Sequence, residues 1–218
     1  AAGSVLREPL AEPGRTFIPA DFWKSATIQG TVDATVVQDN GNGILFMLSL
    51  RFWILLAGTA DGLVRLLPAS FGVLCVYLIY RVALPLAGPT VAVLSAVLAS
   101  IHPLLVRYSQ ELRAYTMATA FSLLATLCVL SLLEDNKQRG KAVLWGLAAG
   151  ASFLSHFLTA YILGTQVLFA LVNHRRLGIP LLIAASSAAV PIGLWFQGPG
   201  AVGLENMAAM QSKYAARA

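Results

Sequence analysis

Seven apolar stretches follow one another along residues 44–196, separated by short polar segments. The first stretch, Ile44–Ala57, has 14 residues and contains Arg51. A membrane-crossing helix needs about 20 apolar residues, so this stretch predicts a helix that lies along the membrane interface. The other six stretches predict membrane spans at residues 66–84, 90–106, 112–133, 142–155, 157–173 and 178–196. His156 is the predicted turn between the fourth and fifth spans.

The pattern predicts an all-α fold, a polytopic bundle of transmembrane helices with an outer juxtamembrane helix. Residues 1–65 form a predicted outer loop that contains this helix, residues 66–196 the six-span domain, and residues 197–218 an outer loop or tail. The N-terminal part is mixed and polar, and it ends in the turn-rich run Asp-Asn-Gly-Asn-Gly at residues 39–43.

Composition supports a membrane protein. Hydrophobic residues make up 57% of the 218 residues and charged residues 11%, against about 45–50% and 25% in soluble domains. A soluble globule of this size could not bury so much apolar surface. The composition therefore excludes a soluble enzyme domain, a disordered chain and a nucleic-acid-binding module, although the net charge is +5.

The distribution of lysine and arginine predicts the orientation. Two short polar loops are basic, and a further cation ends the first span. These cations are Arg81, Lys137, Arg139, Lys141, Arg175 and Arg176. Because basic loops remain cytoplasmic, we expect residues 1–65 and 197–218 on the opposite face. A chain that begins outside needs an earlier span, so we expect this sequence to be a truncated piece of a longer protein.

The strongest local signal is the run Arg-Tyr-Ser-Gln-Glu-Leu-Arg-Ala-Tyr at residues 107–115, between two predicted spans. Charged groups at membrane depth are costly and usually mark a site or an ion pair. If the following span begins just before Glu111, then Glu111 and Tyr115 share a helix face. Arg107 and Arg113 could bind a phosphate, since the guanidinium fork matches phosphate oxygens. The alternative is an interfacial loop with a purely structural Arg–Glu pair.

Two further polar clusters have simple structural interpretations. Composition alone favours a turn and helix cap for residues 39–43. Asp61 and Arg65 are four residues apart, as in an ordinary ion pair at a helix start.

Three segments together resemble a known family: residues 39–46, 61–72 and 101–115. They are similar to the Asp-x-x-x-Pro-Leu-Tyr-Tyr, Arg-Leu-Pro-Ser and Tyr-Ser-Gln-Glu-Ala-Arg-x-Tyr stretches of bacterial relatives of the dolichyl-phosphate-mannose protein mannosyltransferases, which are integral membrane glycosyltransferases of the GT-C type. The third stretch is the specific one, and the resemblance covers about residues 33–175. The chain departs from the pattern at Gly43 and Ile44, where the family often has a proline pair.

The resemblance implies a multi-pass enzyme of the bacterial inner membrane that moves a sugar from a polyprenyl-phosphate donor to an acceptor at the outer face. An acidic residue of the first outer loop would be the base, and arginine side chains would hold the lipid phosphate. The implied catalytic residues are Asp33, Asp39 and Glu111, with Glu8, Glu12 and Asp21 as further acidic candidates; the implied substrate-binding residues are Arg107, Tyr108, Gln110, Arg113 and Tyr115.

The residues leave a second function open, a non-catalytic scaffold or structural subunit of a larger membrane complex that keeps the glycosyltransferase fold. A transporter is a weaker third option, since no inverted repeat is visible. An Asp-Glu pair after an upstream span would favour the enzyme over the scaffold. The expected partners are membrane lipid, the polyprenyl-phosphate-sugar donor and other membrane subunits, with no nucleic acid. No residue pattern indicates a cofactor or a divalent metal.

Overall fold

In the computed structural model, which describes residues 27–215, helices follow one another with short connections. Within this range they are α1 Ile28–Asp39, α2 Ile44–Ala57, α3 Asp61–Ile101, α4 Pro103–Gln110, α5 Tyr115–Glu134, α6 Arg139–Ser155, a 3-10 helix Phe157–Thr159, α7 Ala160–Val172, α8 His174–Phe196 and α9 Pro199–Ala215. The predicted all-α fold class is confirmed. The acidic candidates Glu8, Glu12 and Asp21 lie outside the described residues.

Three of the described helices are long and apolar enough to cross a membrane, namely Asp61–Ile101, Tyr115–Glu134 and Arg175–Phe196. The first covers the predicted span 66–84 and most of the predicted span 90–106. Between them Gly88 breaks the helical geometry (φ 80°, ψ 174°) directly before Pro89. The apolar helices Ile44–Ala57 and Phe157–Val172 are shorter. The number of spans beyond these three stays a prediction.

Helix boundaries agree with the hydropathy pattern only in part. The short helix Ile44–Ala57 has the predicted bounds, and its orientation along the interface stays a prediction. The helix in the region of the predicted span 90–106 ends at Ile101, because His102 precedes a proline and takes extended backbone (φ −65°, ψ 123°). The span predicted to begin at residue 112 corresponds to the helix that begins at Tyr115, and Glu111 before it takes extended backbone (φ −86°, ψ 138°).

Helix α1 lies in the mixed, polar segment of the predicted outer loop. Its start is capped by Thr27, whose Oγ1 accepts a hydrogen bond from the Gly30 N–H at 3.0 Å. The helix contacts α9, and Gly203 of α9 lies so close to the Asn40 carbonyl that a Cβ at Gly203 would overlap it. The cap and this contact stabilise α1, and they bring residues 28–39 and 199–215 to the same end of the bundle.

A chain of buried hydrogen bonds joins α5, α6 and α7. The hydroxyls of Ser122 and Ser152 are 2.7 Å apart. The indole Nε1 of Trp145 donates to Gln166 Oε1 at 3.0 Å, and Gln166 Nε2 donates to Thr126 Oγ1 at 2.9 Å. Because each of these side chains has a partner, the network stabilises one arrangement of the three helices at little desolvation cost.

The contact between α6 and α8 depends on a small residue. A Cβ on Gly146 of α6 would overlap the Ala184 carbonyl oxygen and the Ser187 hydroxyl of α8. Glycine at this position therefore sets the helix separation, as small residues do in membrane bundles. At Gly140, in the same helix, no atom of residues 27–215 outside the helix itself lies within 4 Å of the position a Cβ would take.

We predict that Gly146→Ala destabilises the protein while Gly140→Ala does not. The methyl group at residue 146 must push α8 away, which costs about 1–3 kcal/mol as overpacking does. At residue 140 the same change gains up to about 1 kcal/mol of helix propensity. Thermal unfolding in detergent can be followed with a thiol-reactive dye, since Cys75 and Cys128 are free and buried. Equal unfolding temperatures for the two variants would contradict the close α6–α8 contact.

Candidate functional site

Three turns meet at one end of the bundle and enclose a cleft of about 240 Å³. They are the α1–α2 turn, the α4–α5 turn and the turn after α6 at His156. The polar groups of the lining come from Asp39, Asn42, Arg113, Tyr115, Ser155 and His156. Phe46 and Met47 of α2 add an apolar wall. The cleft thus combines residues from three separate parts of the chain, 39–47, 112–115 and 155–156.

The α1–α2 turn reverses the chain with left-handed backbone at Asn40 (φ 52°), Gly41 (φ 79°) and Gly43 (φ 78°). Asn42 connects this turn to the third turn, because its Oδ1 accepts a hydrogen bond from the Phe157 N–H at 2.9 Å. The predicted turn at residues 39–43 is confirmed. It also leaves Asp39, the last residue of α1, at the edge of the cleft.

The α4–α5 turn is anchored on the first part of α3. Arg65 donates from Nη1 to the Gln110 carbonyl oxygen at 2.7 Å, and it forms the expected ion pair with Asp61 at 2.8 Å. Just after the turn, Thr116 Oγ1 donates to the Pro68 carbonyl oxygen at 3.1 Å. These contacts fix where the backbone of the turn lies beside the cleft.

Opposite charges share the cleft. Arg113 is exposed, and its Nη1 donates to the Tyr115 hydroxyl at 3.4 Å. This hydrogen bond raises the pKa of Arg113, and the nearby charges of Glu111 and Asp39 act in the same direction. The guanidinium therefore stays a cation and lies within electrostatic reach of the Asp39 carboxylate.

Aromatic rings lie on either side of Tyr115. The ring centroids of Tyr115 and Tyr108 are 4.5 Å apart, and those of Tyr115 and His156 are 5.3 Å apart in a stacked arrangement. Burial lowers the pKa of His156 below its ordinary value, which favours the neutral imidazole. The sequence predicts His156 only as a turn, and its place in the cleft was missed because it depends on this long-range contact.

The predicted catalytic residues separate in space. Asp39 lines the cleft. Asp33 lies earlier in α1, where it is exposed and accepts a hydrogen bond from Gln29 Nε2 at 3.0 Å. Glu111 does not line the cleft, and its Oε1 accepts from Arg107 Nε at 2.7 Å. The Arg–Glu pairing expected from the sequence is thus present.

One expected relation within this motif is wrong. Glu111 does not share a helix face with Tyr115, because it lies in extended backbone before α5 begins.

The predicted substrate-binding residues also divide. Arg113 and Tyr115 line the cleft, whereas Arg107, Tyr108 and Gln110 belong to α4 and do not. Among the residues that the structure describes, no three His, Cys, Asp or Glu side chains are placed to hold a metal ion.

Comparison with known proteins identifies the family. The family model of the dolichyl-phosphate-mannose-protein mannosyltransferases matches residues 42–195, which include the cleft residues from Asn42 to His156. Searches of curated proteins and of solved structures gave no significant match. The family match covers most of the chain and confirms the resemblance seen in the sequence. The chain therefore belongs to the dolichyl-phosphate-mannose-protein mannosyltransferase family, a family of membrane glycosyltransferases.

Proposed function

We propose that this protein transfers a sugar from a polyprenyl-phosphate donor to an acceptor at the outer face of the bacterial inner membrane. The family supports glycosyl transfer in a membrane. The observation that carries the proposal is that Asp39 and Arg113 line one cleft at an end of the bundle. Sugar transfer from a lipid phosphate needs a base for the acceptor hydroxyl and a cation for the leaving phosphate. A carboxylate and a guanidinium supply these two groups.

The two groups have complementary roles in the proposed reaction. The Asp39 carboxylate accepts the proton of the acceptor hydroxyl. At the same time the oxygen of that hydroxyl forms a bond to the anomeric carbon of the sugar. The bond from that carbon to the phosphate oxygen breaks, and the lipid phosphate leaves as an anion. Arg113 stabilises the charge that develops on the phosphate, because its planar fork of donors matches phosphate oxygens.

The position of the basic loops supports an outer location for the cleft. Helix α5 begins at the cleft with Tyr115 and ends at Glu134, and α6 returns to the cleft from Arg139. The basic start of α8 lies at the same end of the bundle as Glu134, away from the cleft, since Arg176 Nη1 donates to the Leu133 carbonyl oxygen at 3.3 Å. If the basic end is cytoplasmic, the cleft opens on the outer side.

Helix α2 supports a position of the cleft beside the membrane surface. One end of it packs inward through buried Phe46, and the other leaves Phe52, Leu55 and Leu56 exposed. Such an apolar face is suited to the headgroup boundary of a bilayer. A lipid-linked donor in the membrane would then reach the cleft without leaving the bilayer.

We predict that Asp39→Asn lowers sugar transfer at least about 100-fold, because general-base catalysis contributes about 10²–10⁴-fold. Asp33→Asn is the matched control, since it makes the same change in the same helix at an exposed residue outside the cleft. The measurement is transfer of radiolabelled mannose from polyprenyl-phosphate-mannose to acceptors in membranes that contain the overproduced chain. Equal activity of the two variants would exclude Asp39 as the base.

We predict that Arg113→Ala weakens donor binding more than Arg113→Lys does, since lysine keeps the charge but loses the planar fork. Arg107→Ala should have the smaller effect, because Arg107 pairs with Glu111 and does not line the cleft. Binding of polyprenyl-phosphate-mannose to the purified chain in lipid nanodiscs measures all three.

If Arg107→Ala weakens binding while both Arg113 variants bind normally, the phosphate site lies at α4 rather than in the cleft. If none of the variants changes binding or transfer, the catalytic interpretation fails and the scaffold interpretation remains.

A further inference from the structure

His156 is a polar group of the cleft that has no role in the reaction described above. His156 accepts a hydrogen bond at Nδ1 from the Leu158 N–H, with the two nitrogens 3.3 Å apart. The neutral ring therefore carries its proton on Nε2. This Nε2–H has no hydrogen-bond partner among the described residues, although His156 lines the cleft.

The backbone and the ring of His156 are both held in place. Thr159 Oγ1 donates to the His156 carbonyl oxygen at 2.8 Å, and the ring stacks on Tyr115. Tyr115 in turn accepts the hydrogen bond from Arg113. Arg113, Tyr115 and His156 thus form one continuous wall, with a cation at one end and an N–H donor at the other.

This wall suits a phosphodiester, which carries one negative charge and several acceptor oxygens. One guanidinium, which also donates to Tyr115, leaves lone pairs of these oxygens free to accept a further hydrogen bond. A second cation on the same wall would be repelled by Arg113, whereas a neutral imidazole donates a hydrogen bond without that repulsion. Burial lowers the pKa of His156, which favours the neutral form that the arrangement requires.

We propose that His156 is a phosphate-binding residue, which donates its Nε2–H to a phosphate oxygen of the lipid-linked donor held by Arg113. This inference rests on the proposed function and names a group of the same site that neither the motif nor the family match assigns. The competing account is that the imidazole serves only as a packing surface for Tyr115.

Two substitutions separate the accounts. His156→Phe keeps a ring that can stack on Tyr115 but removes the donor, whereas His156→Gln keeps a side-chain N–H donor but removes the ring. Hydrogen bonding to phosphate predicts that His156→Phe weakens binding about tenfold, as loss of a hydrogen bond to a charged group does, and that His156→Gln weakens it less. A packing role predicts the reverse order.

The experiment measures binding of polyprenyl-phosphate-mannose to the chain in phosphatidylcholine nanodiscs. This phosphodiester lacks the second ionisation near pH 6 of a phosphomonoester, so its charge does not change with pH near neutrality. His102→Phe is the matched control, because His102 is exposed between α3 and α4 and does not line the cleft. It should bind like the wild type.

A second measurement uses the wild-type chain, in case His156→Phe does not fold. With ¹⁵N-labelled histidine, the proposal predicts that the phosphodiester shifts the Nε2 resonance of His156, assigned by its loss in His156→Gln. An unchanged resonance at saturating probe would overturn the proposal.

The outcomes distinguish the two levels of the argument. If the wild type does not bind the phosphodiester, the proposed function fails. If the wild type binds it but Arg113→Ala binds it normally, the phosphate is not held in the cleft, and the roles of Arg113 and His156 are both wrong. If Arg113→Ala weakens binding but both His156 variants bind like the wild type, only the role of His156 is wrong.

Discussion

The hydrogen bond from the Phe157 N–H to Asn42 Oδ1 joins two turns that are far apart in the sequence, and the cleft exists because they are joined. The first turn ends the helix that carries Asp39, and the second begins at His156. The bond is partly buried, so losing Asn42 would leave an unsatisfied N–H, at a cost of about 1–3 kcal/mol. Glycine on both sides of Asn42 permits the left-handed backbone that aims its side chain at Phe157.

The rest of the bundle keeps these turns at a fixed separation. Gly146 allows α6 to approach α8 closely, and the Ser122–Ser152 hydrogen bond aligns α6 with α5. The end of α6 therefore places His156 beside Tyr115 at the start of α5. Small residues and satisfied polar contacts in the membrane domain thus determine the geometry of a site at its end, since apolar contact with lipid alone would not fix helix separation.

Hydropathy and motif order predicted the helical class, the bounds of α2 and the family, because these depend on continuous apolar runs and on a specific local string. Hydropathy alone carried one predicted span past His102 to residue 106, because the apolar character continues there and only the following proline changes the backbone. Hydropathy and motif order could not choose between Asp33 and Asp39, because the choice requires the unexpected helix α1. The place of His156 in the cleft depends on a tertiary contact with Tyr115, which no local pattern contains.

The central claim is that the lipid phosphate binds between Arg113 and His156 with the sugar toward Asp39. A cryo-electron microscopy map of the chain in nanodiscs with a phosphonate analogue of polyprenyl-phosphate-mannose tests it most directly. The account predicts phosphonate density within about 3–4 Å of the Arg113 guanidinium, at charge-assisted hydrogen-bond range, and the sugar in the cleft. Headgroup density beside Arg107 and Glu111, with the cleft empty, would contradict it.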